Sequence, residues 1–94
     1  HASFPVALER RLLGILALED LKKLPRARWR DLRVSDVMRP ISPSMFVQVS
    51  TDMNAAHELI QRNGVGAVGV IGDSGELVGF MRRGRMKKDN GNAG

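Results

Sequence analysis

The chain opens with two apolar runs separated by polar residues. Residues 4–8 form the first run, residues 9–11 are polar, and residues 12–16 form the second run. Two short apolar runs joined by a polar turn are typical of a tight hairpin with mostly buried strands. The pattern therefore predicts a β-hairpin at the start of the chain.

The period of the apolar positions then changes from strand-like to helix-like. Leu18, Leu21 and Leu24 recur every three residues with charged residues among them, which predicts a short amphipathic helix. Because proline cannot continue a helix, we expect the helix to end before Pro25. Residues 25–33 are basic and irregular, as expected of a linker.

The next segment predicts a helical turn, an extended stretch and a strand. Residues 34–38, VSDVM, suit one turn of helix. Residues 39–43 contain two prolines, which restrict their neighbours to extended or turn conformations. Apolar and polar residues alternate over residues 46–49, and this alternation indicates a strand.

A longer amphipathic helix follows this strand. Ser50 or Thr51 offers a hydroxyl group that can cap the start of the helix. Gly64, after Asn63, supplies a left-handed residue at its end. The apolar positions that share one helical face are Met53, Ala56, Leu59 and Ile60. We expect this face to be buried.

A second hairpin is predicted after the helix. Residues 67–71 and 77–81 are apolar runs on either side of the turn GDSG at residues 72–75. Glycine and aspartate in a short connection between two apolar runs are typical of a hairpin turn.

The second hairpin repeats the first. Residues 4–6 align with residues 68–70, and residues 12–14 align with residues 77–79. The stretch GFMRRGRMKK likewise resembles GILALEDLKK, with the charges between the shared residues changed. The repeat is truncated, because the strand and helix ahead of the second hairpin have no counterpart in the chain ahead of the first.

Length and composition bound the class of protein. With 94 residues and 43% apolar residues, the chain forms one small domain with a marginal core, so a partner subunit is expected.

The net charge of +5 favours an anionic partner such as a nucleotide, a nucleic acid or a lipid surface. The absence of cysteine excludes disulfides and thiolate metal sites. No apolar run reaches the about 20 residues of a membrane-spanning helix, so no membrane segment is expected in this chain.

Neither catalysis nor metal binding is expected. The chain has two histidines and no cysteine, so no nucleophile, base and orienting acid can be assigned. His57 lies beside the apolar face of its predicted helix, and no second histidine is near it to complete a metal site. The prediction is therefore of a non-enzymatic domain without a metal.

The basic stretch around Trp29 leaves two interpretations open. Arginines with an interleaved aromatic residue can neutralise phosphate and stack on a base, as in nucleic-acid-binding domains. The alternative, which we favour, is that Trp29 packs the linker onto the core while the arginines stay solvated.

Short motifs spread over the chain resemble the CBS (cystathionine β-synthase) domain. They are FPV at residues 4–6, GILALED at 14–20, VSDVM at 34–38, NGVGAV at 63–68 and GDSGELVG at 72–79. The resemblance implies an α+β fold with the order β-α-β-β-α, present as one complete motif after the C-terminal half of a preceding one. Under this interpretation, residues 1–24 are the half-motif, 25–33 the linker, 34–88 the second motif and 89–94 a flexible tail.

The segment LEDLKKLPRARW at residues 18–29 carries a narrower resemblance. It is similar to the segment that joins paired CBS motifs in the cytosolic tail of site-2-type intramembrane zinc metalloproteases. The zinc motif His-Glu-x-x-His of those proteases is absent from this chain. The resemblance therefore implies a regulatory piece, cytoplasmic or the cytosolic portion of a membrane protein, and not the catalytic part.

The resemblance also implies clefts for adenosine nucleotides, and the first copy retains part of one. Asp20 occupies the position of the family's ribose-binding carboxylate. Ala17 stands where the family usually has a threonine or serine for phosphate. The alternative is that Asp20 only pairs with Lys23 on an exposed helix.

The second copy keeps the small residues on the adenine side, which are Val65, Gly66 and Ala67. The family's threonine and aspartate are replaced there by Arg82 and Arg85. Arginine cannot accept a hydrogen bond from ribose, but it can bind phosphate. The second cleft has therefore either lost nucleotide binding or changed to a more anionic ligand held by Arg82, Arg83 and Arg85.

The sequence thus predicts a regulatory CBS module. The expected ligands are AMP, ADP, ATP or S-adenosylmethionine, and the expected assembly is a homodimer in which a second copy completes the exposed half-motif. The expected output is control of an attached effector, such as a membrane metalloprotease. The alternatives are a dimerisation module without a ligand and a basic nucleic-acid-binding domain.

Overall fold

The chain forms strands and helices close to the predicted order. The structure, a computed structural model, describes residues 2–83. The strands are β1 (Ser3–Leu8), β2 (Arg11–Ala17), β3 (Arg39–Pro40), β4 (Phe46–Gln48), β5 (Ala67–Ile71) and β6 (Leu77–Arg82). The α-helices are α1 (Leu18–Lys22), α2 (Val34–Val37) and α3 (Met53–Arg62), and 3₁₀ helices span Arg26–Asp31 and Pro43–Met45. The predicted α+β class is confirmed.

The first sheet has the order β1-β2-β3, with antiparallel neighbours. The turn between β1 and β2 places Glu9 and Arg10 at φ values of 51° and 69°, the left-handed conformation of a two-residue hairpin turn. The expectation that both strands are mostly buried is wrong for β1, in which Phe4 is 45% and Leu8 is 63% exposed. β1 lies at the edge of its sheet, whereas β2 has a strand on each side.

The second sheet has the order β4-β5-β6, with β4 parallel to β5 and β6 antiparallel to it. Its outer side is covered by α3, and the core between them consists of Val47, Ala56, Ile60 and Val68. Met53 was predicted to belong to this buried face, but it lies outside the core, because it is 60% exposed at the first turn of α3. The predicted left-handed residue after α3 is confirmed, because Gly64 has a φ of 83°.

The cap of α3 differs from the prediction. Asp52, and not Ser50 or Thr51, is the N-cap residue, and its Oδ1 accepts a hydrogen bond from the Ala55 amide at 2.9 Å. The Thr51 hydroxyl instead accepts from the Gln48 amide at 3.0 Å. The hydroxyl is thus used at the end of β4 rather than at the start of the helix.

The two hairpins are structural duplicates. Val6 pairs with Gly14 in the first hairpin, and Val70 pairs with Gly79 in the second. In both, the strand register shifts immediately after this pair. The same register and the same irregularity at aligned positions confirm the internal repeat. The two sheets differ in where their third strand lies. In the first sheet β3 lies beside β2, the second strand of its hairpin, and in the second sheet β4 lies beside β5, the first strand of its hairpin.

The hairpins contact each other, and a core lies between them. Its members are Ile15, Ala17, Met45, Val65 and the partly buried Phe80. The Leu77 amide donates to the Arg10 carbonyl at 2.6 Å. A Cβ atom on Gly69 would lie 2.7 Å from Cδ2 of Leu12. A glycine at this position of β5 therefore allows the first hairpin to approach closely.

The linker is more regular than predicted. Its basic residues form the 3₁₀ helix Arg26–Asp31 instead of an irregular stretch. The indole of Trp29 donates to the Leu24 carbonyl at 3.3 Å, and the Arg26 guanidinium lies 4.6 Å from the ring centroid. Trp29 lines an apolar groove together with leucines of β2, α1 and the linker, but it is 37% exposed and belongs to neither core cluster.

Some expectations fall outside the described residues. These are Arg85, the helix expected after β6 and the tail at residues 89–94. Within residues 2–83, no helix is long and apolar enough to cross a membrane.

Candidate functional site

The carboxylate of Asp20 is held by Arg39. Asp20 lies in α1, directly after the first hairpin, and Arg39 lies in β3, which runs along β2. The Arg39 Nε donates to Asp20 Oδ2 at 2.7 Å, and Nη2 donates to Oδ1 at 3.0 Å. This is a bidentate pair, the strong geometry for guanidinium and carboxylate groups. The alternative that Asp20 pairs only with Lys23 is therefore wrong.

Arg39 joins three parts of the fold. Besides Asp20, its Nη2 donates to Glu19 Oε2 at 3.4 Å, and its Nη1 donates to the Gly64 carbonyl at 3.3 Å. These contacts connect α1, β3 and the loop between α3 and β5. Arg39 thus links α1, which follows the first hairpin, to the loop before the second hairpin.

The ion pair shifts the pKa values of both side chains, Asp20 and Arg39. The hydrogen bond from Arg39 holds the pKa of the Asp20 carboxyl below its usual value of 3.8, against the opposing effect of burial. The same hydrogen bond raises the pKa of Arg39. Asp20 is therefore ionised at neutral pH.

Ala17 and Val65 meet in a narrow cleft between the hairpins. The cleft has a volume of about 40 Å³, roughly the space of a water molecule or two. Its lining residues are Ala2, Ser3, Ala17, Glu19, Gly64, Val65 and Arg83. Pockets for small ligands usually have about 300–1,000 Å³, so the cleft is closed to a nucleotide in this conformation.

Asp20 does not line this cleft. It borders an open depression of about 310 Å³ on the linker side, together with Lys23, Arg28 and Asp36. The Arg39 guanidinium contacts the carboxylate of Asp20, which borders the depression, and the carbonyl of Gly64, a residue that lines the cleft. Arg39 thus connects one residue of the depression with one residue of the cleft.

The loop before β5 is organised by Asn63. The Asn63 Oδ1 accepts from the amides of Val65 and Gly66 at 3.0 and 3.1 Å. Its Nδ2 donates to the carbonyls of Ser44 and Ala67, both at 2.8 Å. Three of these four hydrogen bonds hold the residues that were predicted on the adenine side of a ligand, and the fourth ties the loop to Ser44.

The predicted adenine-side residues are mostly enclosed. Val65 and Ala67 are buried, and the Val65 carbonyl accepts from the buried Ser3 hydroxyl at 2.8 Å. Gly66 has a φ of 70°, and a Cβ atom there would lie 3.4 Å from Nη2 of Arg83. Gly66 is therefore the member of this set that faces a cationic side chain.

Arg82 is engaged with the first hairpin. Its Nε donates to the Ser3 carbonyl at 3.1 Å. Its guanidinium lies 5.7 Å from the ring of Phe4 and 5.4 Å from the ring of Phe80. In this conformation Arg82 joins the two hairpins, and Arg83 is the arginine at the cleft.

Sequence reasoning missed three residues of this region. Arg39 was seen only as part of an extended stretch, Asn63 only as a helix end and Ser3 not at all. The partners of Arg39 and Ser3 lie far away in the sequence, so no local pattern identifies them. Asn63 could have been found as a side chain able to hydrogen-bond the backbone of the following glycine-rich loop.

Within the part of the chain that the structure describes, no group of three or more histidine, cysteine, aspartate or glutamate side chains could hold a metal ion. The polar residues around Arg39 offer carboxylate and guanidinium groups. These are suited to binding hydroxyl and phosphate groups.

Comparison with known proteins gives a family match and one curated relative. The model of the CBS domain family matches residues 34–88. A protein of Synechocystis sp., provisionally named a zinc metalloprotease, is 25% identical over 83 residues. The match covers 88% of this chain, and the chain spans 22% of the length of that relative.

Solved structures with similar folds include two that contain adenine nucleotides. CBSX2 of Arabidopsis thaliana in complex with AMP has a TM-score of 0.69 at 21% identity, covering 97% of this chain and 72% of that chain. The CBS domain of a bacterial CNNM/CorC family Mg²⁺ transporter in complex with ATP has a TM-score of 0.72 at 19% identity, covering 87% and 58%. At these identities the likeness shows the fold.

Proposed function

This chain belongs to the CBS domain family, and on that premise we propose that it is a regulatory module that binds an adenosine-type ligand between its two hairpins. The observation that carries the proposal is the position of Asp20, whose carboxylate binds Arg39, the residue that also contacts the Gly64 carbonyl before the second hairpin. An ionised carboxylate can accept two hydrogen bonds from the cis-diol of ribose.

Asp20 borders the depression outside the cleft, so the ligand would have to reach from its carboxylate into the cleft between the hairpins, where the remaining contacts would lie. The adenine ring would lie against Val65, Gly66 and Ala67. Ala17 has no hydroxyl group, so the phosphate would depend on arginine side chains. AMP, ADP and ATP match this arrangement, and S-adenosylmethionine shares the adenosine part. Because the cleft has about 40 Å³, binding requires the hairpins to separate.

The output would be a change in how the two motifs pack. We propose that residues 1–24 and 34–88 are the two units, joined by the linker 25–33, with 89–94 as a tail. A second copy would complete the exposed half-motif in a homodimer. A ligand that favours one packing arrangement would shift the equilibrium between the active and inactive conformations of an attached effector. The Synechocystis relative makes a zinc metalloprotease our candidate for that effector.

A second candidate function is dimerisation without a ligand. It is favoured by the fact that both oxygens of Asp20 already have hydrogen-bond donors. A bidentate pair of this kind can be purely structural. The two candidates differ in whether a ligand stabilises the protein.

Thermal unfolding with a ligand panel separates these functions. AMP, ADP, ATP and S-adenosylmethionine are added to the wild type, to Asp20→Asn and to the control Asp73→Asn, which changes an exposed carboxylate in the turn between β5 and β6, with the mass measured by light scattering. The proposal predicts a higher Tm with at least one ligand, retained in Asp73→Asn and lost in Asp20→Asn. If no ligand raises the Tm while the Tm depends on protein concentration, the dimerisation function is correct instead.

A further inference from the structure

The loop before β5 begins with a dipeptide that is chemically reactive in an unfolded chain. In an Asn-Gly pair the asparagine side chain is open to attack by the amide nitrogen of the glycine, because glycine has no side chain to hinder the approach. The pair occurs twice in the sequence, at residues 63–64 and 90–91. The first of these lies in the part of the chain that the structure describes, directly after α3.

Deamidation at this pair has a defined course. The Gly64 amide nitrogen gives its proton to hydroxide and attacks Cγ of Asn63, which forms a new C–N bond. The bond from Cγ to Nδ2 then breaks, and the side-chain nitrogen takes a proton from water and leaves as ammonia. Water opens the resulting five-membered succinimide, so that aspartate or isoaspartate stands at position 63.

The backbone conformation of Asn63 opposes this ring closure. Asn63 is the C-cap residue of α3, with a φ of −82° and a ψ of −3°. These angles keep the chain close to the direction of the helix. The succinimide requires the Gly64 nitrogen to turn toward the Asn63 side chain, so the backbone must first rotate away from the observed ψ.

The hydrogen bonds of the Asn63 side chain oppose the same rotation. Its Oδ1 accepts from the amides of Val65 and Gly66 at 3.0 and 3.1 Å. Its Nδ2 donates to the carbonyls of Ser44 and Ala67, both at 2.8 Å. Both side-chain atoms are therefore held by two partners each, and ring closure must break these bonds.

We propose that Asn63–Gly64 is a deamidation site that the native loop suppresses and that reacts when the loop opens. The product cannot rebuild the loop, because an ionised aspartate has no N–H group to donate. The carbonyls of Ser44 and Ala67 would then face a carboxylate oxygen instead of a donor. Deamidation would thus make a transient opening of the loop permanent. The inference does not depend on the ligand of the proposed function.

Peptide mapping by mass spectrometry tests the suppression. The wild type is incubated at mildly alkaline pH, with and without concentrated urea, and the replacement of the side-chain NH₂ by OH is followed over time. Asn90–Gly91 supplies the rate of the same dipeptide in the unfolded chain. In urea the two pairs should react at similar rates. In the native protein Asn63 should react at least about 10-fold more slowly than in urea, because reaction requires the loop to open. Equal rates at Asn63 in both conditions would overturn the proposal.

Thermal unfolding of Asn63→Asp tests the consequence of the modification. The control is Asn54→Asp, which makes the same change at an exposed position in the first turn of α3. Asn63→Asp should lower the Tm by at least about 5 °C, because two carbonyls lose their donor. Asn54→Asp should keep or raise the Tm, since a carboxylate is favourable in the first turn of a helix. An unchanged Tm in Asn63→Asp would overturn the permanent opening. The rate comparison uses the wild type alone, so it decides on the site even if Asn63→Asp does not fold.

Discussion

Gly14 and Gly79 occupy equivalent positions in the two hairpins but have different neighbours. A Cβ atom on Gly14 would collide with the Arg39 carbonyl oxygen and lie 3.0 Å from Sδ of Met38. The cause is β3, which runs beside β2 at this point. A Cβ atom on Gly79 would meet Cβ of Val70 at 3.6 Å, an ordinary contact. The same substitution to alanine at both positions therefore shows how much the close approach of β3 costs, because only Gly14 has β3 beside it.

The expected difference follows from two opposing effects. Overpacking a close contact costs about 1–3 kcal/mol. The added methyl group at position 14 would have to displace backbone atoms of β3. Alanine also restricts the unfolded chain, which stabilises the folded state by about 0.4–1 kcal/mol when no strain opposes it. Gly14→Ala should thus lower the free energy of unfolding by about 1–2 kcal/mol, or the Tm by roughly 5–15 °C for a domain of this size. Gly79→Ala should leave stability equal or higher by up to about 1 kcal/mol.

Urea unfolding at one fixed protein concentration measures both variants. The concentration is fixed because the stability of an oligomer depends on it. The wild type and Gly79→Ala should have similar midpoints, and Gly14→Ala a lower one. Equal effects of the two substitutions would refute the reasoning, since they would mean that β3 does not approach β2 as closely as the structure shows.

Two further predictions concern single side chains. Asp20 has a lowered pKa, so its contribution to stability is fully present above its ordinary pKa of 3.8 and is lost as pH falls through the lowered value. The difference in unfolding free energy between the wild type and Asp20→Asn should therefore shrink below about pH 4, and a constant difference down to pH 2 would contradict the ion pair. Ser3→Ala should cost about 1–2 kcal/mol in denaturant unfolding, because the buried Val65 carbonyl loses its donor. An unchanged midpoint would show that this hydrogen bond contributes nothing.

The hairpins could be predicted because their signals are local. The apolar runs and turn residues of β1 and β2 lie within 15 residues, and the second copy repeats them. The neighbours of the hairpins could not be predicted in this way. β3 has two residues, too few for a periodic pattern, and it joins β2 across the linker. Strand pairing over such a distance depends on tertiary packing rather than on local preference.

The cap of α3 illustrates a competition that a sequence leaves open. Ser50, Thr51 and Asp52 all have suitable oxygens. In the structure the Thr51 hydroxyl serves the end of β4, and Asp52 serves the helix. Which residue caps the helix was decided by where the preceding strand ends. That boundary is among the features that local patterns define least well.

The candidate site was predictable in part. Asp20 was identified through a family resemblance, and the structure places its carboxylate against Arg39 of β3. Its partner Arg39 is 19 residues away in the chain, with a linker between them. The pairing arises only when β3 joins β2. A long-range ion pair of this kind is a consequence of the fold, so it could not be derived before the fold.

A titration of AMP followed by ¹H–¹⁵N NMR tests the central claim most directly, because it reports where a ligand binds. The account predicts that amide shifts concentrate on residues 17–20 and 64–66, with a further change at Arg39, and that Asp20→Asn removes them. Saturating shifts centred elsewhere, or no shifts at millimolar AMP in the folded protein, would contradict an adenosine site between the hairpins.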